Sequence, residues 1–205
     1  MRIGLDLRSS DPSDCVAAAI EADRLGLWAV LITAARGAES ALAAEIAVAT
    51  DHVHIAVQFD ATNTHPLALA EEVAILDHLS ARRAIAVVAG ASAQHFDHAR
   101  RLLGGEVVDN VALTPPPAQT TVSTWQADSL PTLALPDSMD GANSMAEAQS
   151  AIDAQRDQGV THLFVTWSGS VAMLARHLQT RALTPDFPDI VADYADSIAP
   201  LPPGE

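Results

Sequence analysis

The feature that most constrains this chain is a serial alternation, running from Arg2 to Gly90, of short apolar runs and longer amphipathic stretches. Arg2-Ile3-Gly4-Leu5-Asp6-Leu7 alternates polar and apolar residues and meets the turn-forming Ser9-Ser10-Asp11-Pro12, where Pro12 suits the first turn of a helix. That helix is expected to carry its apolar stripe on Val16, Ala19, Ile20, Asp23 and Leu25 and to stop at Gly26. Trp28 to Ile32 is a continuous apolar run, the pattern of a parallel strand covered on both faces. The cycle then repeats. Glu39 to Ala49 reads as a helix, and His54 to Phe59 as a third strand. Thr64-His65-Pro66 opens a helix with Leu69, Val73, Leu76 and Leu79 on one side, and Ala84 to Val88 is a fourth strand closed by Gly90. Strand-helix units of this size in series predict right-handed parallel crossovers, in a barrel or an open doubly wound sheet.

Beyond Leu103 the pattern breaks. Gly104-Gly105 ends a helix, and the segment from Asn110 to Pro136, with Pro115-Pro116-Pro117, Pro131 and Pro136, cannot be helical. Val107 to Leu113 and Thr120 to Trp125 read as short antiparallel strands or an extended excursion, and Thr132 to Leu135 as a further core strand. Regularity returns with a helix over Ser144 to Gln158, a strand over His162 to Trp167 and a helix over Val171 to Arg181. The expected organisation is a single α/β domain over 1–205, with an irregular Pro-rich insertion at about 107–136 and a surface tail at 184–205.

Composition removes several functions. All eleven basic residues are Arg and none is Lys, so neither a Schiff-base lysine nor a phosphate-loop lysine is available. A formal net charge of -15 repels a nucleic-acid backbone, so no nucleic-acid partner is expected. The apolar runs are shorter than the roughly 20 residues of a spanning helix, and no membrane association is expected. The lone Cys15 and the lack of a signal-peptide pattern give a cytoplasmic expectation. His52 with His54, and His95 with His98, share faces by spacing but lack companion ligands, so no metal is expected either.

Within Thr50 to Gly90 the order of residues is specific. Thr50-Asp51-His52-Val53-His54-Ile55-Ala56-Val57 is followed by His65-Pro66, by a helix carrying Glu71-Glu72-Val73 and Leu76-Asp77-His78-Leu79-Ser80, and by Arg83 before the fourth strand. This resembles the luciferase-like monooxygenases, in which a third strand runs to His-Pro and a Ser-x-Gly-Arg leads into the fourth. Glu21 to Val30 and Ala148 to Val165 resemble that family's first helix-to-strand segment and its last helix and strand. The resemblance implies a TIM-type barrel that uses FMN or a deazaflavin coenzyme. It also implies a homodimer, or a heterodimer with a family paralogue. A complete barrel of this type takes about 250 residues, so the expected form is a reduced or incomplete barrel of six or seven parallel strands. Its gap would be covered by the Pro-rich segment or by a partner chain.

In such a barrel the cofactor lies at the carboxyl ends of the strands. The resemblance therefore implies Asp6, Thr33, Val57, Gln58, His65 and Gly90 as cofactor-binding candidates. Family members often hold a non-proline cis peptide at the position of Val57-Gln58; an ordinary trans strand end is the alternative. His65 precedes Pro66 at a helix start, where a capping role competes with proximity to the site. The family's imidazole after the second strand is matched by Ala34, Ala35 and Arg36, and its Gly-rich turn after the fourth strand by Ala89-Gly90-Ala91-Ser92. Gly141 and Ser144 read as an anion site at a helix start, and Ser168-Gly169-Ser170 as a strand-to-helix turn. Two functions follow: a flavin- or deazaflavin-dependent oxidoreductase, or a catalytically degenerate relative acting as a structural or regulatory subunit.

Overall fold

A computed structural model describes residues 1–33, 38–135, 142–166, 171 and 174. Strand β1 (Arg2–Asp6) leads to α1 (Pro12–Arg24), β2 (Ala29–Ile32), α2 (Glu39–Ala49), β3 (His54–Asp60), α3 (Pro66–Leu79), β4 (Ala84–Ala89) and α4 (Ala93–Leu103). Then come β5 (Ser123–Gln126), a single 3-10 turn (Ala127–Ser129), β6 (Thr132–Ala134), α5 (Ala142–Asp157) and β7 (His162–Thr166). The seven strands form one sheet in the order β5-β4-β3-β2-β1-β7-β6, and every pairing is parallel. This is the cyclic order of a βα barrel opened between β5 and β6. The incomplete, TIM-type α/β barrel expected from the sequence is thus what forms.

Alternation along each strand divides the core into two layers. Val30, Ile32, Ile55 and Val57 face outward and pack with Ala19, Ile46, Leu69 and Val73 of the helices. Ala29, Leu31, Ala56, Val87 and Phe164 face inward and fill the curl. Phe164 fits there because its β1 neighbour is Gly4: a Cβ at Gly4 would lie 2.7 Å from the Phe164 ring. Two helix faces differ from expectation. In α1 the buried positions are Cys15, Ala19 and Ala22, with Val16 and Ile20 only partly covered. In α3, Leu79 is 51% exposed while Ala70, Ala74 and Asp77 are buried.

The Pro-rich segment forms no antiparallel pair of strands, and the strand expected over Thr132 to Leu135 forms over Thr132–Ala134, at the sheet edge instead of in the core. Val108 and Val111 form one antiparallel bridge across a tight turn at Asp109 and Asn110, both with positive φ. From Ser123 to Ala134 the chain then spans the opening of the sheet. Its first four residues pair with β4 and its last three with β7. Parallel neighbours need a long crossover; here Ala127–Pro131 suffices, because β5 and β6 sit on opposite edges and pair with different strands. Phe164 donates its N–H to the Pro131 carbonyl at 3.0 Å, and the Trp125 ring of β5 lies 6.2 Å from the Phe164 ring of β7, so the curl brings the two edges together. β6 is therefore an edge strand with exposed Thr132 and Ala134.

Four polar side chains fasten the amino ends of the strands. Arg83 is 8% exposed and donates to the carbonyls of Ala47, Thr50, Val53 and Ser80 and to Thr50 Oγ1, at 2.6–2.9 Å. Burial pulls its pKa down, with Asp23 and Asp51 partly opposing. Asp23 accepts from the N–H groups of Asp51, His52 and Val53 and so sets the entry to β3. Asp77, fully buried, takes the Gln119 backbone N–H at 2.7 Å and its side-chain amide at 2.6 Å, while His78 Nε2 donates to the Pro116 carbonyl at 2.8 Å. These two α3 residues thereby tie the Pro-rich segment under β4.

Two predictions follow from these fasteners. Ala81 and Arg82 have φ of 51° and 72°, and Arg82 stands where the resembled motif has Gly. Relief of αL strain exceeds the added entropy of a flexible unfolded chain, so Arg82→Gly should raise unfolding stability by about 0.5–1 kcal/mol in urea titration. Burial pushes the Asp23 carboxyl up, but three N–H donors and His52 outweigh it, and its folded pKa lies below the ordinary carboxylate value. Its contribution is present above the unfolded pKa of about 3.9 and is lost as pH falls through the folded pKa. Urea midpoints measured from pH 5 downward should therefore fall more steeply in the native chain than in Asp23→Asn.

Candidate functional site

At the carboxyl ends of the strands, inward-facing polar residues replace the apolar layer. Asp6 ends β1 with its carboxylate 5% exposed. The chain turns there, and Arg8, two residues on and on the same side, folds back over it. Arg8 Nε and Nη2 donate to Asp6 Oδ1 and Oδ2 at 2.9 and 2.7 Å, a bidentate pair, and the Arg8 backbone N–H adds a third bond at 3.1 Å. The remaining guanidinium nitrogen, Nη1, donates to Gln58 Oε1 from β3 at 2.7 Å. Thr166 at the end of β7 donates to Asp6 Oδ2 at 3.4 Å, and Thr33 after β2 donates to the Gln58 carbonyl at 3.4 Å. Four adjacent strands thus deliver polar groups to one mouth. Hydrogen bonding to Asp6 raises the Arg8 pKa, so the guanidinium stays charged.

The candidates divide between this cluster and its surroundings. Asp6, Thr33 and Gln58 are brought together by it. Val57 is fully buried toward the helices and can offer only its backbone, in a Val57–Gln58 peptide that is trans; the cis bond among the described residues is Thr114–Pro115. His65 caps α3, its Nδ1 accepting from the Leu67 N–H at 3.2 Å, and it joins the mouth by no hydrogen bond given by the structure. Gly90 has φ of 69°, and a Cβ there would collide with Thr62 and approach Asp60. Its lack of a side chain is explained by protein packing. Arg8 and Thr166 are the residues that sequence reasoning missed. The signal for Arg8 was present as Asp6-x-Arg8, a charge pair at strand spacing. Ala34, Ala35, Arg36, Gly141, the Ser144 side chain and Ser168–Ser170 lie outside the described residues.

The cluster contains a carboxylate, a guanidinium, an amide and two hydroxyls. The pyrimidine edge of a flavin or deazaflavin alternates carbonyls with N–H groups, and this set can answer both: Arg8 donates, Asp6 accepts, and Gln58, Thr33 and Thr166 do either. The donor chemistry fits such a ring once Arg8 and Gln58 exchange part of their mutual bonding for it.

No family model and no curated protein sequence matches the chain. Solved structures do resemble it. Monooxygenase RslO1 from Streptomyces bottropensis superposes with a TM-score of 0.56 at 17% identity, over 94% of this chain and 83% of that one. The apo form of MsnO8 gives 0.51 at 16% identity, over 80% of this chain and 55% of that one. An F420-dependent secondary alcohol dehydrogenase, solved with an F420-acetone adduct, gives 0.51 at 16% identity, over 72% and 55%. The chain spans little more than half the length of the latter two. At these identities the likeness is one of fold.

Proposed function

We propose that this chain is a luciferase-like oxidoreductase that works through FMN or a deazaflavin coenzyme held at the Asp6, Arg8 and Gln58 mouth. The observation that carries this reading is the convergence of polar groups from β7, β1, β2 and β3 at the carboxyl end of the sheet, where α/β barrels place their chemistry. The fold's likeness to a monooxygenase and an F420-dependent dehydrogenase supports the choice of cofactor. When bound, the ring supplies hydride transfer or oxygen activation. The chain's own residues orient it. Arg8, kept charged by Asp6, favours negative charge developing on the ring edge, while Gln58 and Thr33 fix its register. Val57 and Gly90 contribute backbone at the rim.

Positions 34 to 36 carry no imidazole, so no side chain is assigned as a proton donor. That substitution is the specific observation favouring the second reading, a catalytically degenerate subunit. The cytoplasm remains the proposed location and a homodimer or paralogue heterodimer the proposed assembly. Ile75 and Leu79, 53% and 51% exposed and one turn apart on α3, give a second chain an apolar contact. Light scattering on purified protein should give twice the 21.4 kDa chain mass; a monomer at micromolar concentration contradicts the homodimer.

Equilibrium titration with FMN and with F420 tests the cofactor directly. Saturable binding in the micromolar range is expected for one of them, weakened at least tenfold in Gln58→Leu and in Thr33→Val with thermal melts retained. If neither coenzyme binds at high micromolar concentration, the oxidoreductase reading falls and the subunit reading stands.

A further inference from the structure

The amino-terminal end of the barrel, opposite the mouth just described, holds a second opening. A cleft of about 520 Å³ lies there, a size within the range of small-molecule sites. Its floor is aromatic. The Trp28 ring, just before β2, lies 4.6 Å from the His162 ring of β7 and 5.9 Å from Trp125 of β5, and Trp125 lies 5.6 Å from His162. These rings touch one another, so a flat occupant lies upon them and not between them. A floor of three rings is wider than a single benzene ring and favours a fused pair, which it meets in offset or edge contact.

A fixed acceptor stands in the same cleft. Gln119 lines it, and Gln119 Nε2 donates to Asp77 Oδ1 at 2.6 Å and to the Ala84 carbonyl at 3.0 Å. A carbonyl only accepts, so the amide nitrogen must face it. The Gln119 Oε1, on the other side of the amide, accepts no bond from the described residues and is not buried. Asp77 also takes the Gln119 backbone N–H, at 2.7 Å, which keeps this acceptor from turning away. An acceptor held open in this way selects a donor. Charge selects as well. None of the described residues lining the cleft is acidic, and Arg2 at its rim is already engaged within the protein. Burial first, then Arg2, the N-terminal ammonium and His54, hold His162 below the ordinary imidazole pKa, so its ring is neutral at pH 7. A charged occupant would leave water without gaining a counter-ion, and a neutral one does not bear that cost.

We propose that the cleft at the amino-terminal end of the barrel binds a neutral fused-ring aromatic bearing a hydroxyl or N–H donor, its rings on Trp28, Trp125 and His162 and its donor on Gln119 Oε1. The site is separate from the coenzyme mouth and does not depend on it. Calorimetric titration of the whole chain with 2-naphthol tests it, with 2-methoxynaphthalene, which cannot donate, and the anionic 2-naphthoate as counterparts. Micromolar binding of 2-naphthol is expected, with each counterpart weaker by about tenfold or more. Ser123 is exposed and lies two residues before Trp125 on the same face of β5, so Ser123→Trp fills the cleft without entering the core. It should weaken 2-naphthol at least tenfold with its thermal melt retained, while Gln58→Leu at the far mouth leaves 2-naphthol binding unchanged. Absence of binding at millimolar 2-naphthol, equal binding of either counterpart, undiminished binding by a folded Ser123→Trp, or loss of binding in Gln58→Leu overturns the proposal. The ligand series needs only the native chain, so it decides the matter even where a variant folds poorly.

Discussion

An aromatic ring packed where the neighbouring strand has no side chain allows this sheet to curl. Phe164 of β7 occupies the space above Gly4 of β1 and meets Trp125 of β5 from across the interior. A curl this tight has little room inside, and the small inward residues Ala29 and Ala56 on the strands between them keep it from overfilling. With the interior filled in this way, the opening between the sheet edges is narrow enough for one extended stretch, Ser123 to Ala134, to bridge it. Strand units that a larger barrel would use are replaced by a single segment pairing with β4 and then with β7.

The two ends of the barrel are chemically distinct, and the distinction follows from strand direction. All strands run the same way, so residues at their carboxyl ends gather at one mouth and residues at their amino ends at the other. The first collects Asp6, Gln58, Thr33 and Thr166 around Arg8, a charged and mutually bonded set. The second collects Trp28, His54 and His162 with Trp125, a ring-lined opening without acidic groups among the described residues. Arg83, Asp23 and Asp77 hold the loops at this second end through backbone carbonyls and N–H groups, which buried polar chain requires. Residues that mark the sequence resemblance most strongly, Asp77, His78 and Arg83, therefore serve the architecture.

Much of the fold was legible because parallel strands buried on both faces leave continuous apolar runs, and the helices between them leave caps and stops. The strands at Trp28 to Ile32 and Ala84 to Val88 carry such runs, and each lies within a residue of the observed β2 and β4. That Asp6, Thr33 and Gln58 would gather at one mouth was legible because strand ends in a barrel converge. Arg8 was not, since its place depends on the turn after β1 folding back. The α1 face was read correctly at Ala19 but not at Cys15 and Ala22, small residues that are buried while Val16 and Ile20 lie at the margin. The strand at Thr132 was legible, but the course of the chain from Asn110 to Pro131 had no periodicity to read. Its path is set by long-range bonds, from Gln119 to Asp77 and from Phe164 to Pro131, that no local pattern announces.

The central claim is that Ser123 to Ala134 closes the curl by joining β4 to β7. Native-state amide hydrogen exchange, resolved by residue, tests it most directly, because an amide bonded within the packed sheet exchanges only through substantial unfolding. The account predicts that the Phe164 amide and the amides of β5 that pair with β4 are protected to the same order as those of β2 and β3. Exchange of the β5 and Phe164 amides at the rate of exposed loops, with β1 to β4 still protected, would contradict it.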